Sequence, residues 1–177
     1  MDAAARKGVD LQVDSFEQST HTAVEAAQAV GAEVGQIVKS LVFVALREAG
    51  SKAFLALVSG ANTVDLDLLA AVLGEPRIRR ATADEARRLT GFVIGGIPPF
   101  GHPQPLQTLM DRDLGRFETV WAAAGAPNAV FAVAPGVLRV LADATVADIC
   151  RQPDAAPANA SSESAASARA SAGATDR

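Results

Sequence analysis

The chain is poor in the residues that build covalent or metal-held scaffolds. It has one cysteine, Cys150, and two histidines, His21 and His102, in 177 residues. A single cysteine excludes an intramolecular disulfide framework, and with so few histidines a Cys- or His-rich metal site cannot be assembled. A reducing compartment is the simplest fit. Long hydrophobic runs are also missing. No apolar stretch approaches the length needed to cross a bilayer, and the opening MDAAARKGVDLQVDSFEQ lacks the continuous apolar segment of a secretory signal. The expected location is the cytoplasm, with no membrane partner. Nor is there an excess of positive charge: 16 Lys and Arg against 20 Asp and Glu give a formal net charge of -4. That argues against a generally basic surface coating nucleic acid but leaves room for a local basic patch.

What is present is enough apolar material for a core. Hydrophobic residues make up 49% and charged residues 20% of the sequence, the balance of a folded domain. The length predicts one domain. Residues 152–177 hold no Leu, Ile, Val or aromatic side chain and are dominated by Ala and Ser, which predicts a disordered tail. Residues 1–12 read either as an ordered lead-in or as a mobile arm, which leaves 13–151 as the domain.

Within it, helices and strands alternate. Thr22 with Glu25 forms a capping-box signature ahead of a small apolar face that stops near Gly31. Residues 37–46, IVKSLVFVAL, and 54–59, FLALVS, are dense in strand-favouring residues, with EAGSK between them as a turn. Residues 64–73 carry acidic residues first and leucines at helical spacing, ending at Gly74. Thr82 with Glu85 repeats the capping box before a short helix closed by Gly91. Residues 92–105, FVIGGIPPFGHPQP, make a shaped loop. Residues 128–134 predict a strand, and Pro135 opens a helix through about Leu141. Phe117, Val120 and Trp121 read as the packing face of a helix. The sum is a mixed α/β domain.

Several residues invite chemistry. Lys39 lies inside an apolar strand, so its ammonium either reaches the strand edge or finds partners that offset desolvation. Gly95 and Gly96, with Pro98 and Pro99 after them, can bring backbone N–H groups close to a ligand oxygen and hold that concavity in place. The spacing matches neither a phosphate-binding P-loop nor a dinucleotide fingerprint. His102 is a proton shuttle, a substrate contact or a packing residue. Ser40, Ser59 and Thr108 offer hydroxyls without a nucleophile elbow. Asp111 and Asp148 either hydrogen-bond a substrate or brace loops. Cys150 reads as a small apolar core residue. Arg77, Arg79, Arg80, Arg87 and Arg88 make either one positive ridge for a phosphodiester backbone or a solvated face paired to Asp84 or Glu85.

The ordered set GQIVKSLVF, SGAN with Val64-Asp65, TGFVIGGIPPFGH, LMDRDL and WAAAGAPNAVF, spanning about Ser15 to Cys150, resembles the YbaK/EbsC family of free-standing editing proteins. That family is related to the editing domain of bacterial prolyl-tRNA synthetases. The resemblance implies a compact α/β fold around a mixed, barrel-like sheet with flanking helices and an aminoacyl-tRNA deacylase needing no metal or cofactor. Its substrate would be a mischarged tRNA, proline-specific and carrying a wrong small amino acid. Water would attack the ester with help from the vicinal ribose hydroxyl, and transient association with an aminoacyl-tRNA synthetase is part of the implied picture. By the same resemblance Lys39 is the functional lysine, contacting the substrate near its terminal adenosine or phosphate. Gly95 to Pro99 match the family's GxxxP loop, Gly101 and His102 its Gly-His pair, and Asp148 its late carboxylate. Two other readings stay open: a nonhydrolytic RNA-binding or regulatory protein on this scaffold, and a small-molecule esterase. An apolar site around Lys39 and the glycine loop, with a substrate pose that admits water at the ester, favours hydrolysis; a filled loop pocket with only an exposed arginine patch favours binding.

Overall fold

The densest apolar run of the sequence becomes the longest strand, because it is covered on both faces. The computed structural model describes residues 2–16, 22–48 and 50–151, and the predicted tail at 152–177 lies outside them. The first half holds α1 (Asp2–Ala5), β1 (Val13–Ser15), α2 (Ala23–Val30), β2 (Ile37–Arg47), β3 (Gly50–Ser59), β4 (Thr63–Val64) and α3 (Leu66–Leu73). The second half continues with β5 (Ile78–Arg80), α4 (Ala83–Thr90), β6 (Gln107–Asp111), β7 (Val120–Ala123) and β8 (Ala129–Val133). It closes with α5 (Pro135–Leu141), β9 (Ala144–Ala147) and β10 (Cys150–Arg151).

Val38, Val42 and Val44 of β2 enter one core cluster with Leu55 and Leu57 of β3. The alternate residues Phe43 and Ala45 enter a second cluster with Phe54, Ala56 and Val58. A strand buried on both sides loses polar alternation, which is why residues 37–46 read as continuous apolar sequence. The main sheet runs β1-β8-β7-β2-β3-β6-β9, with β5 also paired to β2, and mixes parallel and antiparallel pairs. This is the expected mixed α/β domain. Its path has two ends, β1 and β9, and a separate pair, β10 with β4, ties residue 151 back to residue 63. Ala4 and Leu11 are buried in the first cluster, so residues ahead of β1 contribute to the core.

Both capping boxes form, Thr22 with Glu25 and Thr82 with Glu85, and Gly31, Gly74 and Gly91 end their helices in the left-handed conformation. One expectation is overturned. Val120 and Trp121 lie on strand β7, and Phe117 caps a single-turn 3-10 helix at Arg112–Arg116. The physical reason is period 2 in place of period 3.6: Val120 and Ala122 are buried while Trp121 and Ala123 are half-buried. β7 pairs in parallel with the start of β2 and antiparallel with β8.

Candidate active site

A cavity of about 190 Å³ opens beside β2, lined by Val38 to Val42, by Ala26 and Val30 of α2, by Arg80 and Ala81, by Trp121 and by Gly95 and Ile97 of the loop. It exists because β2 changes neighbours. Ile37 and Val38 pair with Trp121 and Ala122 of β7, whereas Phe43 to Ala45 pair with Ile78 to Arg80 of β5. Between these the strand has no paired neighbour on that edge among the described residues. The opposite edge is laddered to β3 without interruption from Val38 to Arg47.

Strand alternation identifies the groups left in the gap. The Ile37 carbonyl accepts from Gly60 N–H on the β3 side, while the Val42 carbonyl accepts from Ala81 N–H and Leu46 N–H donates to Arg77 on the other. Even-numbered residues of β2 therefore aim their amide and carbonyl away from β3. The β7 ladder stops at Val38 and the β5 ladder starts at Phe43. Ser40 N–H, Ser40 C=O and Val42 N–H are left facing the cavity edge without a ladder partner. The Ser40 side chain adds to this: its Oγ is buried and has no hydrogen-bond partner among the described residues. Such groups are uncommon in folded proteins.

Lys39, on the other face of the strand, is the reverse case. Its Nζ donates to the carbonyls of Gly60 at 3.1 Å and Asn62 at 2.6 Å, so a half-buried cation is fastened to a turn. The turn is held from behind. Asn62 Nδ2 donates to Asp111 Oδ2 and to Asp113 Oδ2, both at 2.9 Å, and Ser59 N–H donates to Asp111 Oδ2 at 3.1 Å. Asp111, 3% exposed, thus braces the turn that carries the lysine's acceptors. Gly60 is required there because a Cβ would run into the Val34 carbonyl. Burial lowers the Lys39 pKa, and Arg80 pushes the same way against Cys150 and Asp111. Cys150 is half-buried and packs against the second core cluster; burial first, then Asp111, pushes its thiol up to about 12, so it stays protonated.

The loop supplies the facing wall. Gly95 lines the cavity at φ +89°, a left-handed value that glycine adopts without strain. Gly96 lies outside the lining: a Cβ there would sit 2.8 Å from the Ala126 carbonyl carbon and 2.9 Å from Pro127 N, so its role is close packing against the β7–β8 turn. Pro99 is fully buried. His102 Nε2–H donates to the Pro98 carbonyl at 2.9 Å, and its ring meets Phe92 edge-on, with centroids 6.2 Å apart. Burial lowers its pKa, against the Pro98 bond, so the imidazole is neutral at pH 7. It staples the loop from outside the cavity lining; Gly101, at φ +83°, also lies outside that lining.

The remaining candidates divide. Arg80 borders the cavity, while Arg79 is held by Glu85 in two 2.7 Å hydrogen bonds that tie β5 to α4. Arg77, Arg87 and Arg88 are exposed. Asp148 is not brought to the cavity: its side chain is 62% exposed and pairs with Arg112 at 2.9 Å. The carboxylate near Lys39 is Asp111. Composition offered no signal for Asn62 or for the open edge at Ser40; the SGAN string at 59–62 was the one trace of the turn.

The site is an open hollow at the edge of a mixed sheet, with Arg80 at its border and Gly95 of the loop in its wall. Residues 17–148 match the aminoacyl-tRNA editing domain family, and the chain belongs to it. Among its relatives, the Multifunctional Ser/Thr-tRNA deacylase ProXp-y of Escherichia coli (strain K12) is 32% identical over 126 residues, 68% of this chain and 72% of that one. The protein YwhH of Bacillus subtilis (strain 168) is 31% identical over 140 residues, 78% of this chain and 87% of that one. A solved structure described as a candidate trans-editing enzyme for prolyl tRNA synthetase superposes with a TM-score of 0.78 at 51% identity, covering 85% of this chain and 94% of that one. The family is one of trans-editing aminoacyl-tRNA deacylases, which are hydrolases.

Proposed function

We propose that this protein hydrolyses the ester of a mischarged tRNA in trans, in the cytoplasm, acting on proline-specific tRNA that carries a wrong small amino acid. The observation that carries the reading is the open cavity with Lys39 and Arg80 at β2 and β5 and Gly95 across from them. The Lys39 cation, held at the turn of Gly60 and Asn62 beside the cavity, meets the terminal adenosine or phosphate, and Arg80 with the exposed Arg77, Arg87 and Arg88 meets the acceptor backbone. The loop from Gly95 to Pro99 presses the ester against β2, with His102 holding the loop's shape. Water adds to the ester carbonyl and the C–O bond to ribose breaks. The ribose oxygen takes a proton, and free amino acid and uncharged tRNA leave. The vicinal ribose hydroxyl orients the water, which agrees with a neutral His102 turned to Pro98 and a protonated Cys150.

The small hollow favours small cargos, and similarity to a Ser/Thr-tRNA deacylase and to a prolyl trans-editing candidate supports testing Ser, Thr and Ala. Transient association with a synthetase would deliver such substrates. The test is deacylation of a panel of purified tRNAs bearing defined amino acids, with Lys39→Ala alongside. Selective, Lys39-dependent release is expected; equal turnover by a folded Lys39→Ala protein would sink the assignment.

A further inference from the structure

The gap in β2 has the hydrogen-bonding pattern of a missing strand residue. In an antiparallel ladder a closely bonded pair consists of two residues that each offer one N–H and one C=O to the other. Ser40 presents both groups to the cavity edge with no protein partner among the described residues, and Val42 N–H lies further along the same edge. Main-chain groups in a mostly apolar hollow are costly to leave unpaired, so a ligand carrying one matching pair gains from docking there. An α-aminoacyl ester carries that pair on a single residue: an α-ammonium that donates and a carbonyl that accepts.

We propose that the open edge of β2 at Ser40 recognises the aminoacyl group as a one-residue strand. The α-ammonium donates to the Ser40 carbonyl, and Ser40 N–H donates to the ester carbonyl oxygen. The same N–H follows that oxygen as water adds and negative charge develops on it, so the contact positions and activates the ester. This contact reads main-chain atoms common to all α-amino acids. It therefore selects an α-aminoacyl ester over a des-amino acyl ester and leaves discrimination among side chains to the apolar walls. The inference rests on the deacylase reading above and adds the atoms that hold the acyl end.

The test compares wild-type turnover of alanyl-tRNA and propionyl-tRNA, which differ by the α-ammonium alone, each rate divided by its uncatalysed rate. The expected rate enhancement for the propionyl ester is lower by about tenfold or more, the scale of one charge-assisted hydrogen bond. A second arm is Ser40→Pro, which removes the N–H. Ser40 faces Leu57 across a pair that makes no ladder bond to β3, so proline removes no sheet hydrogen bond there. The variant is expected to melt cooperatively near the wild-type temperature and to lose about 30-fold or more in kcat/KM on alanyl-tRNA. Equal enhancement on the two esters overturns the inference, as does wild-type turnover by folded Ser40→Pro. If Ser40→Pro does not fold, the ester comparison on the wild-type protein decides alone. Wild-type protein inactive on every aminoacyl-tRNA overturns the deacylase reading itself, a different result from activity that ignores the α-ammonium.

Discussion

The two edges of β2 have opposite characters. Towards β3 the strand is paired residue by residue from Val38 to Arg47, and its neighbours Leu55, Leu57 and Val58 have no exposed surface. Towards β7 and β5 it is paired at both ends and bare in the middle, and the bare part borders the cavity. One edge supplies stability and the other keeps unpaired polar groups available for a ligand. Lys39 and Ser40, adjacent in sequence, fall on opposite faces: the lysine is tied to Gly60 and Asn62, while the serine hydroxyl has no partner among the described residues. A functional strand can thus be over-determined on one side because it is under-satisfied on the other.

The sharpest way to break this contrast is on the closed edge. Leu57→Ala deletes a fully buried side chain and is expected to cost about 3 kcal/mol in urea unfolding, with activity per folded molecule retained. On the opposite face from Ser40, Lys39→Met keeps the apolar stem and removes the cation. Deacylation is expected to fall about 100-fold, equivalent to about 2.7 kcal/mol of barrier, while the unfolding midpoint moves little, because the buried charge already carries a desolvation cost. A large loss of stability in Lys39→Met with full activity per folded molecule would reverse the assignment of roles.

Gly96→Ala tests the loop that faces the gap. Its Cβ would meet backbone atoms of Ala126 and Pro127 at 2.8–2.9 Å, so the loop must shift. A loss of about 2 kcal/mol is expected together with a raised KM, and an unchanged melt would show that the loop accommodates the methyl freely.

The smallest effect concerns the frame that carries the arginines. Arg79, then the Thr82 N–H, hold Glu85 at a pKa of about 2, below its ordinary 4.5. A depressed carboxylate contributes stability that is fully present above the unfolded pKa and lost as pH falls through the folded one. Wild-type stability should therefore decline between pH 4.5 and about 2, and Glu85→Gln should flatten that part of the profile. Parallel profiles for the two proteins would show that the Arg79–Glu85 pair does not link β5 to α4 in solution.

Much of the architecture was legible because the signals were local. Capping boxes at Thr22 and Thr82 and terminal glycines at Gly31, Gly74 and Gly91 mark helix ends within a few residues of chain. The dense run at 37–46 identified a buried strand. β7 was misread as a helix because WAAA is short and rich in alanine, and its strand state comes from pairing with β2 and β8. At the site, the resemblance pointed to Lys39 and the Gly95 loop, and the structure brings them to one cavity. Asp148 was named as the late carboxylate, yet its neighbour in space is Arg112, whereas Asp111 reaches the lysine's turn from the adjacent strand β6.

By itself the sequence determined the helices with their caps, the doubly buried strand, the loop that needs Gly95 and the family to which these belong. Each rests on interactions within a few residues or on a motif read in order. Tertiary structure alone decided that β7 leaves β2 before β5 arrives, that the gap falls at Ser40, and that Asp111 and Asn62 stand behind Lys39. Those facts depend on which strands pair and in what register, and pairing is settled by burial and hydrogen bonding between segments far apart in the chain.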